Sequence, residues 1–418
     1  MKRGRLIGLA AAFVIFSPAM AQDRMSAEQS EIPGSPALEQ PQALSRFFEA
    51  MDRAEAGEGG RPIHILQLGD SHTVGDQITA SLRSRLQNTI GRGGRGALPP
   101  GKPYALYNPR QVEVFEQAWT ATTPAPGSRD MAGVGLTGSR SLVWGEGSVL
   151  RIVAEAAGAF DRIVLCAASG PAAGELVVRA HHGDTRIDFR DAAPGAVCRQ
   201  VTLNDPARDL MLVGGPGAVE LHSIALFRDQ PGVAVSALGV IGSTLADLEA
   251  RDAAVVRAEL NAWRPDLIVL ALGTNEGFDP FLDIDAYESR LRRQIMRFRA
   301  GSSQADLLIL GAPEAMRSEG GGVCETDPEG RWRAPRELVL VRDVQRRVAA
   351  DMGVAFWDWH GRMGGDCSAH RLATAPEPLM RGDHVHFNSV GGDWIGQMLF
   401  EDITAAWRAR PVPGAAEE

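Results

Sequence analysis

Three residue types that together can attack an ester stand in two short motifs near opposite ends of the chain. Gly69-Asp70-Ser71-His72 follows the apolar run 63–68, and Asp383 and His386 lie three residues apart. A serine hydroxyl becomes a strong nucleophile when an imidazole takes its proton, and a carboxylate orients that imidazole and stabilises its charge. The residue types therefore predict Ser71 as nucleophile, His386 as general base and Asp383 as the residue that orients it.

Ser71 is predicted to lie where a strand turns into a helix. The run 63–68 is typical of a buried strand, and the four-residue spacing of Val74, Ile78 and Leu82 predicts a helix over 74–86. Free amide groups and the helix dipole favour negative charge at such an N-terminus. The alternative is that Ser71 only caps the helix, because serine is a preferred cap.

Two further residues could stabilise the oxyanion that forms when an ester is attacked. Gly242 and Asn275 each follow an apolar run that is typical of a strand. The predicted donors are the backbone amides of Ser71 and Gly242 and the side-chain amide of Asn275. The alternative for Asn275 is an amide that only ties down its own turn.

The order Gly-Asp-Ser, strand-end glycine, Gly-Thr-Asn and Asp-x-x-His resembles the SGNH or GDSL superfamily of esterases and acyltransferases. The resemblance places catalytic roles on Ser71, Gly242, Asn275 and His386, with Asp383 completing a triad. The segments 69–76, 363–365 and 383–388 are most similar to peptidoglycan O-acetylesterases of Gram-negative bacteria. The resemblance implies a serine esterase that acts on an O-acetylated glycan, with peptidoglycan favoured. Such an enzyme requires no metal or organic cofactor.

The residues beside the predicted triad have other interpretations. His384 competes with His386 as the base, but the spacing and the family pattern favour His386 and leave His384 and His72 as candidate substrate contacts. Asp70, His72 and the 383–386 motif could instead supply metal ligands. A metal would not explain the serine, glycine and asparagine together, so no metal is predicted. Asp70 and Asp76 are expected to fasten their turn through backbone hydrogen bonds.

The N-terminus predicts export. Three basic residues precede the apolar stretch 6–16, and Ala19-Met20-Ala21 is typical of a signal-peptide cleavage site. The stretch is shorter than the roughly 20 residues that span a bilayer, although a retained N-terminal anchor is the alternative. Cleavage after Ala21 removes three positive charges and takes the formal net charge from −9 to −12. We therefore expect a periplasmic or secreted protein with neither nucleic acid nor anionic membrane as partner.

Four cysteines acquire a role if the chain is exported, because oxidising compartments permit disulfides. Cys166 and Cys198 lie in one β-rich region, and Cys324 and Cys367 flank the late strands. We expect these two pairings, with free buried thiols as the alternative.

Strand and helix patterns alternate on both sides of a long insertion. The predicted organisation is a signal peptide (1–21), a flexible linker (22–42), a hydrolase core (43–95 and 231–408) and a disordered tail (409–418). The predicted later core strands are 233–238, 267–272, 307–311 and 354–358, and the predicted later helices are 245–260, 287–299, 336–350 and 389–407. This alternation indicates a parallel sheet covered on both faces. The family resemblance implies a flavodoxin-like three-layer α/β/α core with its catalytic groups at the carboxyl ends of the strands.

Residues 96–230 have a different pattern. Short alternating runs separated by glycine and proline predict an inserted β-sandwich, which in the resembled esterases is similar to a carbohydrate-binding module. Trp119 and Trp144 could stack on sugar rings, although aromatic residues of β-domains are commonly part of the core.

The sequence thus predicts a serine esterase of a cell-envelope glycan that forms an acetyl-serine intermediate. One alternative is an envelope polysaccharide O-acetyltransferase that uses the same triad, and another is a non-catalytic glycan-binding protein. The sequence makes no prediction about oligomeric state.

Overall fold

The computed structural model describes residues 37–181, 183–191 and 193–410. The predicted signal peptide, most of the predicted linker and residues 411–418 of the predicted tail lie outside this range. Within it, no helix is both long enough and apolar enough to cross a membrane.

Seventeen strands occur in the described residues. In chain order they are β1 (Leu38–Glu39), β2 (Ile63–Gly69), β3 (Gly94–Leu98), β4 (Val112–Gln117), β5 (Ala121–Thr122), β6 (Arg140–Trp144), β7 (Val149–Ala154), β8 (Phe160–Ser169), β9 (Glu175–Ala180), β10 (Gly183–Asp188), β11 (Gly195–Ala207), β12 (Asp209–Gly214), β13 (Ala218–Phe227), β14 (Val233–Gly239), β15 (Leu267–Ala271), β16 (Asp306–Leu310) and β17 (Ala355–Trp357).

The α-helices in the same part of the chain lie mostly before β3 and after β14. In chain order they are α1 (Ser45–Glu55), α2 (Ser71–Val74), α3 (Gln77–Thr89), α4 (Leu245–Ala250), α5 (Ala253–Trp263), α6 (Thr274–Gly277), α7 (Ile284–Gly301), α8 (Arg336–Met352), α9 (Trp359–Arg362), α10 (Ser368–Thr374) and α11 (Ser389–Ala409). Short 3-10 turns occupy Pro41–Leu44 and Ala156–Gly158.

A six-stranded sheet forms the centre of the α/β part. Five strands run parallel in the spatial order β14, β2, β15, β16, β17, and β1 pairs antiparallel with β17 at the edge. Counted along the chain from β2, the parallel strands have the order 2-1-3-4-5 of flavodoxin-like sheets. This order reverses between β2 and β15, so the loops that follow these two strands open a crevice at the carboxyl edge.

Alternate residues of the sheet face opposite helical layers, because successive side chains of a strand point to opposite faces. Leu66 and Leu68 of β2 enter a hydrophobic cluster that also contains buried residues of α5, α7 and α8. Ile65, on the other face, is fully buried as well, and α3 packs there against β14 and α11. Both faces of the sheet are therefore covered by helices.

Residues 112–227 form two antiparallel sheets. One has the order β10-β9-β12-β7-β4 and the other has the order β11-β8-β13-β6-β5, with β3 also pairing with β13. Alternate residues of both sheets, such as Leu212 and Leu165, meet in one hydrophobic cluster. The two sheets therefore pack face to face as a sandwich.

The second face of the β8–β13 sheet is also buried. Val164, Cys166 and Phe227 share the hydrophobic cluster of the α/β core with Val256 and Leu260 of α5. The sandwich is thus joined to the core by apolar packing, and β3 crosses the boundary that the sequence predicts at residue 96.

The structure joins Cys166 to Cys198, across the paired strands β8 and β11, and Cys324 to Cys367. Trp119 is buried and its indole N–H donates to the carbonyl of Pro100 at 2.7 Å, whereas Trp144 is 64% exposed. Of the two tryptophans, only Trp144 presents a free ring face.

Three boundaries differ from the sequence prediction. The predicted helix 245–260 is two helices, because Arg251 is extended and Asp252 caps α5 by accepting from the amides of Ala254 and Val255. The predicted helix 74–86 begins only at Gln77. Part of the predicted linker 22–42 also belongs to the fold, since buried Leu38 lies in β1.

Asp76 joins the start of α3 to the β-rich part of the chain. Its carboxylate accepts from Arg83 of α3 at 2.7 Å, from Arg95 of β3 at 2.9 Å and from the amide of Arg110 at 2.9 Å. Burial would raise the pKa of Asp76, but Arg83 and Arg95 outweigh it and lower the pKa to about 2. Asp76 therefore binds mainly side chains, and the predicted backbone fastening is a minor part of its role.

We expect Asp76→Asn to lower the free energy of unfolding by about 3–5 kcal/mol, because two buried guanidinium groups lose their counter-charge. Urea unfolding at pH 7 measures this. Asp393→Asn removes the partner of Arg85 from an exposed pair and should cost less than about 1 kcal/mol.

The pH dependence gives a second readout of the same variant. The folded pKa of Asp76 lies below the unfolded value near 3.9, so its stabilisation is present above about pH 4 and is lost as the pH falls towards 2. The difference in the free energy of unfolding between wild type and Asp76→Asn should become smaller over this range. Equal stability of the two proteins at pH 7 would contradict the assignment.

Candidate active site

Ser71 is the first residue of the short helical turn α2, directly beyond β2. The Asp70 carboxylate caps this turn by accepting from the amide of His72 at 2.9 Å. The preceding Gly69 has no room for a side chain, since a Cβ there would lie 2.1 Å from Thr73 Oγ1. Asp70 thus supplies the cap that the sequence alternative gave to Ser71, and the Ser71 hydroxyl is available for another partner.

That partner is His386. Ser71 Oγ lies 2.9 Å from His386 Nε2, and His386 Nδ1 lies 2.9 Å from Asp383 Oδ2. These are the two hydrogen bonds that a serine, histidine and carboxylate need to act together. The structure brings all three predicted residues together, although 315 residues of sequence separate Ser71 from His386.

The Asp383 carboxylate is fixed by the backbone of its own loop. Its Oδ1 accepts from the amides of Val385 and His386, both at 2.9 Å. Burial would raise the pKa of Asp383, but these amides and the His386 ring lower it. The carboxylate therefore stays ionised beside the imidazole.

A tight backbone turn holds the loop that contains Asp383 and His386. The amide of Arg381 donates to the carbonyl of His386 at 2.7 Å, and the amide of His384 donates to the carbonyl of Arg381 at 3.1 Å. Asn388 then caps α11 by accepting from the amide of Gly391. The base and its carboxylate thus stand directly before a 21-residue helix.

His72 connects the nucleophile turn to this loop. Its Nδ1 lies 3.1 Å from Asp70 Oδ1 and its Nε2 lies 2.9 Å from the carbonyl of Val385. Both partners are acceptors, so both ring nitrogens must carry a proton. Burial would lower the pKa of His72, but Asp70 and the Val385 carbonyl outweigh it and the pKa is raised. The raised pKa favours the imidazolium form of His72, whose two N–H groups tie the loop of Ser71 to the loop of His386. His72 also lines the pocket beside Ser71.

His384 lies elsewhere. It is 4% exposed, stacks on Trp332 and places its Nε2 3.1 Å from His370 Nδ1. Its Nδ1 faces the carbonyl of Gly382, and burial lowers its pKa. This burial disagrees with the prediction that His384 contacts substrate; the side chain instead anchors its loop to α10.

The two predicted oxyanion residues occupy neighbouring turns. Gly242 has φ 74°, in the left-handed region that favours glycine, and lies after β14. The Asn275 side chain donates from Nδ2 to the carbonyl of Ser243 at 2.9 Å. An asparagine amide has two N–H groups, so one of them remains to reach an oxyanion.

Glu276, which the sequence analysis did not single out, supports this corner. Its Oε1 accepts from the amide of Leu245 at 2.7 Å, and its Oε2 has no hydrogen-bond partner among the described residues. Burial and the nearby charges of Asp70 and Asp247 raise its pKa to about 7. The sequence did contain a signal for Glu276, because it is a single charged residue next to Asn275 in a run of otherwise uncharged residues.

A cavity of about 270 Å³ opens beside Ser71 and His386. Ile241, Phe387 and Arg381 form parts of its wall. The sequence analysis assigned no role to these three residues, although Arg381 and Phe387 belong to the motif that contains the base. An acyl group or a sugar ring could occupy this cavity next to the nucleophile.

The alternative metal ligands Asp70, His72, Asp383, His384 and His386 hydrogen-bond to one another, to the backbone, to Ser71 or to His370. Elsewhere in the described chain, Glu314, His360 and Asp366 bring ligand atoms within 4.8 Å of one another. Glu314 Oε2 also accepts from Arg342 at 2.9 Å, and a guanidinium so close opposes a bound cation.

The raised pKa of His72 predicts a pH-dependent stability. Its stabilisation is present below the unfolded pKa of about 6.5 and is lost as the pH rises through the higher folded value. We expect His72→Gln to be less stable than wild type at pH 6 and the difference to shrink towards pH 9, as measured by urea unfolding.

His64→Gln is the matched control for this measurement. Burial lowers the pKa of His64 to about 4, below the unfolded value near 6.5, so the stability that neutral His64 contributes increases as the pH rises from 6. The deficit of His64→Gln should therefore grow towards pH 9, opposite to that of His72→Gln. A deficit of His72→Gln that stays constant or grows would show that its folded pKa is not raised.

Comparisons with known proteins agree with this geometry. Residues 220–394 match the model of the GDSL-like Lipase/Acylhydrolase family. A solved structure of a peptidoglycan O-acetylesterase is 25% identical and superposes with a TM-score of 0.76 over 90% of this chain and 100% of that chain. A search of the curated proteins found no match.

Two other solved esterases align with much lower TM-scores. An acetyl xylan esterase is 18% identical over 40% of this chain and 79% of that chain, with a TM-score of 0.29. A carbohydrate esterase with a carbohydrate-binding domain from Corynascus thermopiles (Myceliophthora fergusii) is 14% identical over 70% and 99%, with a TM-score of 0.31. The family match covers β14 to β17 and the loop of Asp383 and His386 but not β2 and Ser71, whereas the superposition on the peptidoglycan O-acetylesterase covers 90% of this chain. The chain therefore contains a GDSL-like lipase/acylhydrolase domain and is an ester hydrolase of the SGNH type.

Proposed function

We propose that this protein is a serine esterase that removes O-acetyl groups from a cell-envelope glycan, with peptidoglycan as the favoured substrate. The observation that carries the proposal is the continuous pair of hydrogen bonds from Ser71 through His386 to Asp383. The superposition on a peptidoglycan O-acetylesterase over nearly the whole chain supports the choice of glycan.

In the proposed mechanism, Ser71 Oγ attacks the acetyl carbonyl while His386 Nε2 takes the hydroxyl proton. Asp383 keeps the proton on His386 Nδ1 and stabilises the imidazolium. The amides of Ser71 and Gly242 and the Asn275 side chain hold the oxyanion. His386 then protonates the departing sugar hydroxyl, which leaves an acetyl-serine.

Water completes the reaction. His386 Nε2 takes a proton from a water molecule, the resulting hydroxide attacks the acetyl-serine, and acetate leaves as Ser71 regains its proton. The His386 and Asp383 side chains are 34% and 44% exposed. Because an O-acetyltransferase must keep water from its acyl-enzyme, this exposure favours hydrolysis over transfer.

We also propose that the β-rich segment 96–230 is an insert that shapes the cleft. A Cβ on Gly242 would lie 3.1 Å from Pro126, and the amide of Gly127 donates to Asp247 at 2.6 Å. A loop of the insert thus packs against the turn that contains the proposed oxyanion donor.

The proposal also includes export to the periplasm or beyond, because two disulfides are typical of proteins in oxidising compartments.

Acetate release from O-acetylated peptidoglycan and from acetylated xylan tests this function. We expect the mature wild-type protein to release acetate from peptidoglycan, and Ser71→Ala to lose about six orders of magnitude in kcat because the nucleophile is absent. Ser71→Ala should melt at the wild-type temperature. Residual activity within about tenfold of wild type would exclude Ser71 as nucleophile.

The same assay separates the other candidate functions. Transfer of acetyl groups to an added glycan acceptor, without free acetate, would indicate an O-acetyltransferase. Glycan binding with no turnover of any acetyl ester would indicate a non-catalytic binding protein.

Asn275→Ala tests the oxyanion site. We expect kcat on a small acetyl ester to fall by about 10²–10³ with KM nearly unchanged, because the amide acts mainly on the charge of the transition state. Asn261→Ala, on the outer helix α5, is the control and should retain wild-type kcat. A rise in KM alone would instead assign Asn275 to substrate binding.

A further inference from the structure

Arg381 is an arginine without a partner beside the nucleophile. It is exposed, lines the cavity that Ser71 and His386 also line, and makes no ion pair or side-chain hydrogen bond among the described residues. Many other arginines of the described chain, such as Arg61, are paired with carboxylates. The Arg381 guanidinium is therefore available to a ligand that enters this cavity.

The wall of this cavity is unusual for so acidic a protein. The whole chain has a formal net charge of −9, yet none of the described residues that line the cavity is an aspartate or a glutamate. Two of its other residues, Ser389 and Gly392, belong to the first turn of α11, whose dipole adds positive potential. An anion that enters the cavity would therefore meet no opposing carboxylate on its wall.

Arg381 is also held at a fixed place relative to the reacting atoms. Its backbone amide donates to the carbonyl of His386 at 2.7 Å, and Met380 pairs with Phe387 in an antiparallel bridge. The flexible side chain thus starts from an anchored backbone beside the base. A group bound by Arg381 would lie on the same sugar, or on its neighbour, as the ester at Ser71.

We propose that Arg381 binds a carboxylate of the glycan, so that the esterase prefers acetylated sugars that bear a negative charge. The planar guanidinium offers paired N–H donors that match the two oxygens of a carboxylate. The inference rests on the proposed function and adds the substrate class: an acidic acetylated glycan instead of a neutral one.

The carboxylate could come from two sources. One is the free lactyl carboxylate of a muramic acid residue that carries no stem peptide, because an attached peptide converts this carboxyl into a neutral amide. The other is the carboxylate of a uronic acid. Both present the same chemistry to Arg381, and a comparison of the two kinds of sugar distinguishes them.

Competition against a neutral reporter measures the binding by itself. The rate of p-nitrophenyl acetate hydrolysis is measured in the presence of unacetylated oligosaccharides. Four proteins are compared: wild type, Arg381→Gln, Arg381→Lys and Arg257→Gln. N-acetylmuramic acid and oligogalacturonate supply the two carboxylates, and xylo-oligosaccharide is the neutral competitor. Arg257 is an exposed arginine of α5 with no ion pair among the described residues and no place in the cavity wall, so its variant loses the same charge elsewhere.

We expect at least one acidic sugar to inhibit wild type and Arg257→Gln about tenfold more strongly than Arg381→Gln, with Arg381→Lys between them. The inhibition should weaken at high salt. The neutral sugar should inhibit all four proteins equally when each inhibition is referred to that protein's own uninhibited rate. Arg257→Gln should hydrolyse the reporter alone at the wild-type rate. The more effective acidic sugar identifies the source of the carboxylate.

Equal inhibition of wild type and Arg381→Gln by both acidic sugars would overturn the inference. A loss of acidic-sugar inhibition in Arg257→Gln as large as that in Arg381→Gln would do so too, because it would indicate a general charge effect. Failure of the proposed function has a different signature: the reporter is hydrolysed, yet no acetylated glycan releases acetate.

Discussion

The buried carboxylate of Asp76 is the constraint on which the arrangement of the site depends. Asp76 has φ 50° and stands between the nucleophile turn and α3, so the chain must change direction there. Its charge is neutralised by Arg83 from α3 and by Arg95 from β3. Removing either partner would leave an unpaired charge in the interior, which is far more costly than a lost surface pair. The direction of the nucleophile turn is therefore fixed by an ion cluster that the α/β core and the β-rich part build together.

His72 fixes the position of the loop that contains His386, the proposed general base. A loop that carries a catalytic histidine at a sheet edge could move relative to the serine, because no strand pairing connects them. The His72 imidazolium bridges Asp70 on one side and the Val385 carbonyl on the other. It therefore couples the position of Ser71 to the position of His386. The neighbouring His384 fastens the opposite side of the loop to His370.

The sequence predicted the elements whose signal is local. Strand β2, the later parallel strands and the order of the catalytic motifs follow from apolar periodicity and from residue types that few other sites combine. It could not predict contacts that are set by the tertiary fold. These are the ion pairs of Asp76 with Arg83 and Arg95, the burial of His384, the shared core of the sandwich and α5, and the unpaired guanidinium of Arg381. Each depends on which distant segments meet, and residue type alone does not encode this. The break of the predicted helix 245–260 was readable in principle, because Asp252 is a strong cap, but the apolar periodicity continues through it.

Two carboxyl groups, those of Asp70 and Glu276, lie close together near the proposed oxyanion donors. A negative charge on Glu276 would oppose the charge that develops on the substrate oxygen in the proposed mechanism. Burial and Asp70 together raise the pKa of Glu276 to about 7, so its carboxyl is mainly protonated in mildly acidic solution and gains charge only as the pH rises above 7. The imidazolium of His72 adds to this change, since it loses its positive charge at high pH. Both changes make this part of the site more negative as the pH rises. The proposed stabilisation of the oxyanion therefore favours the acidic side of this pH range.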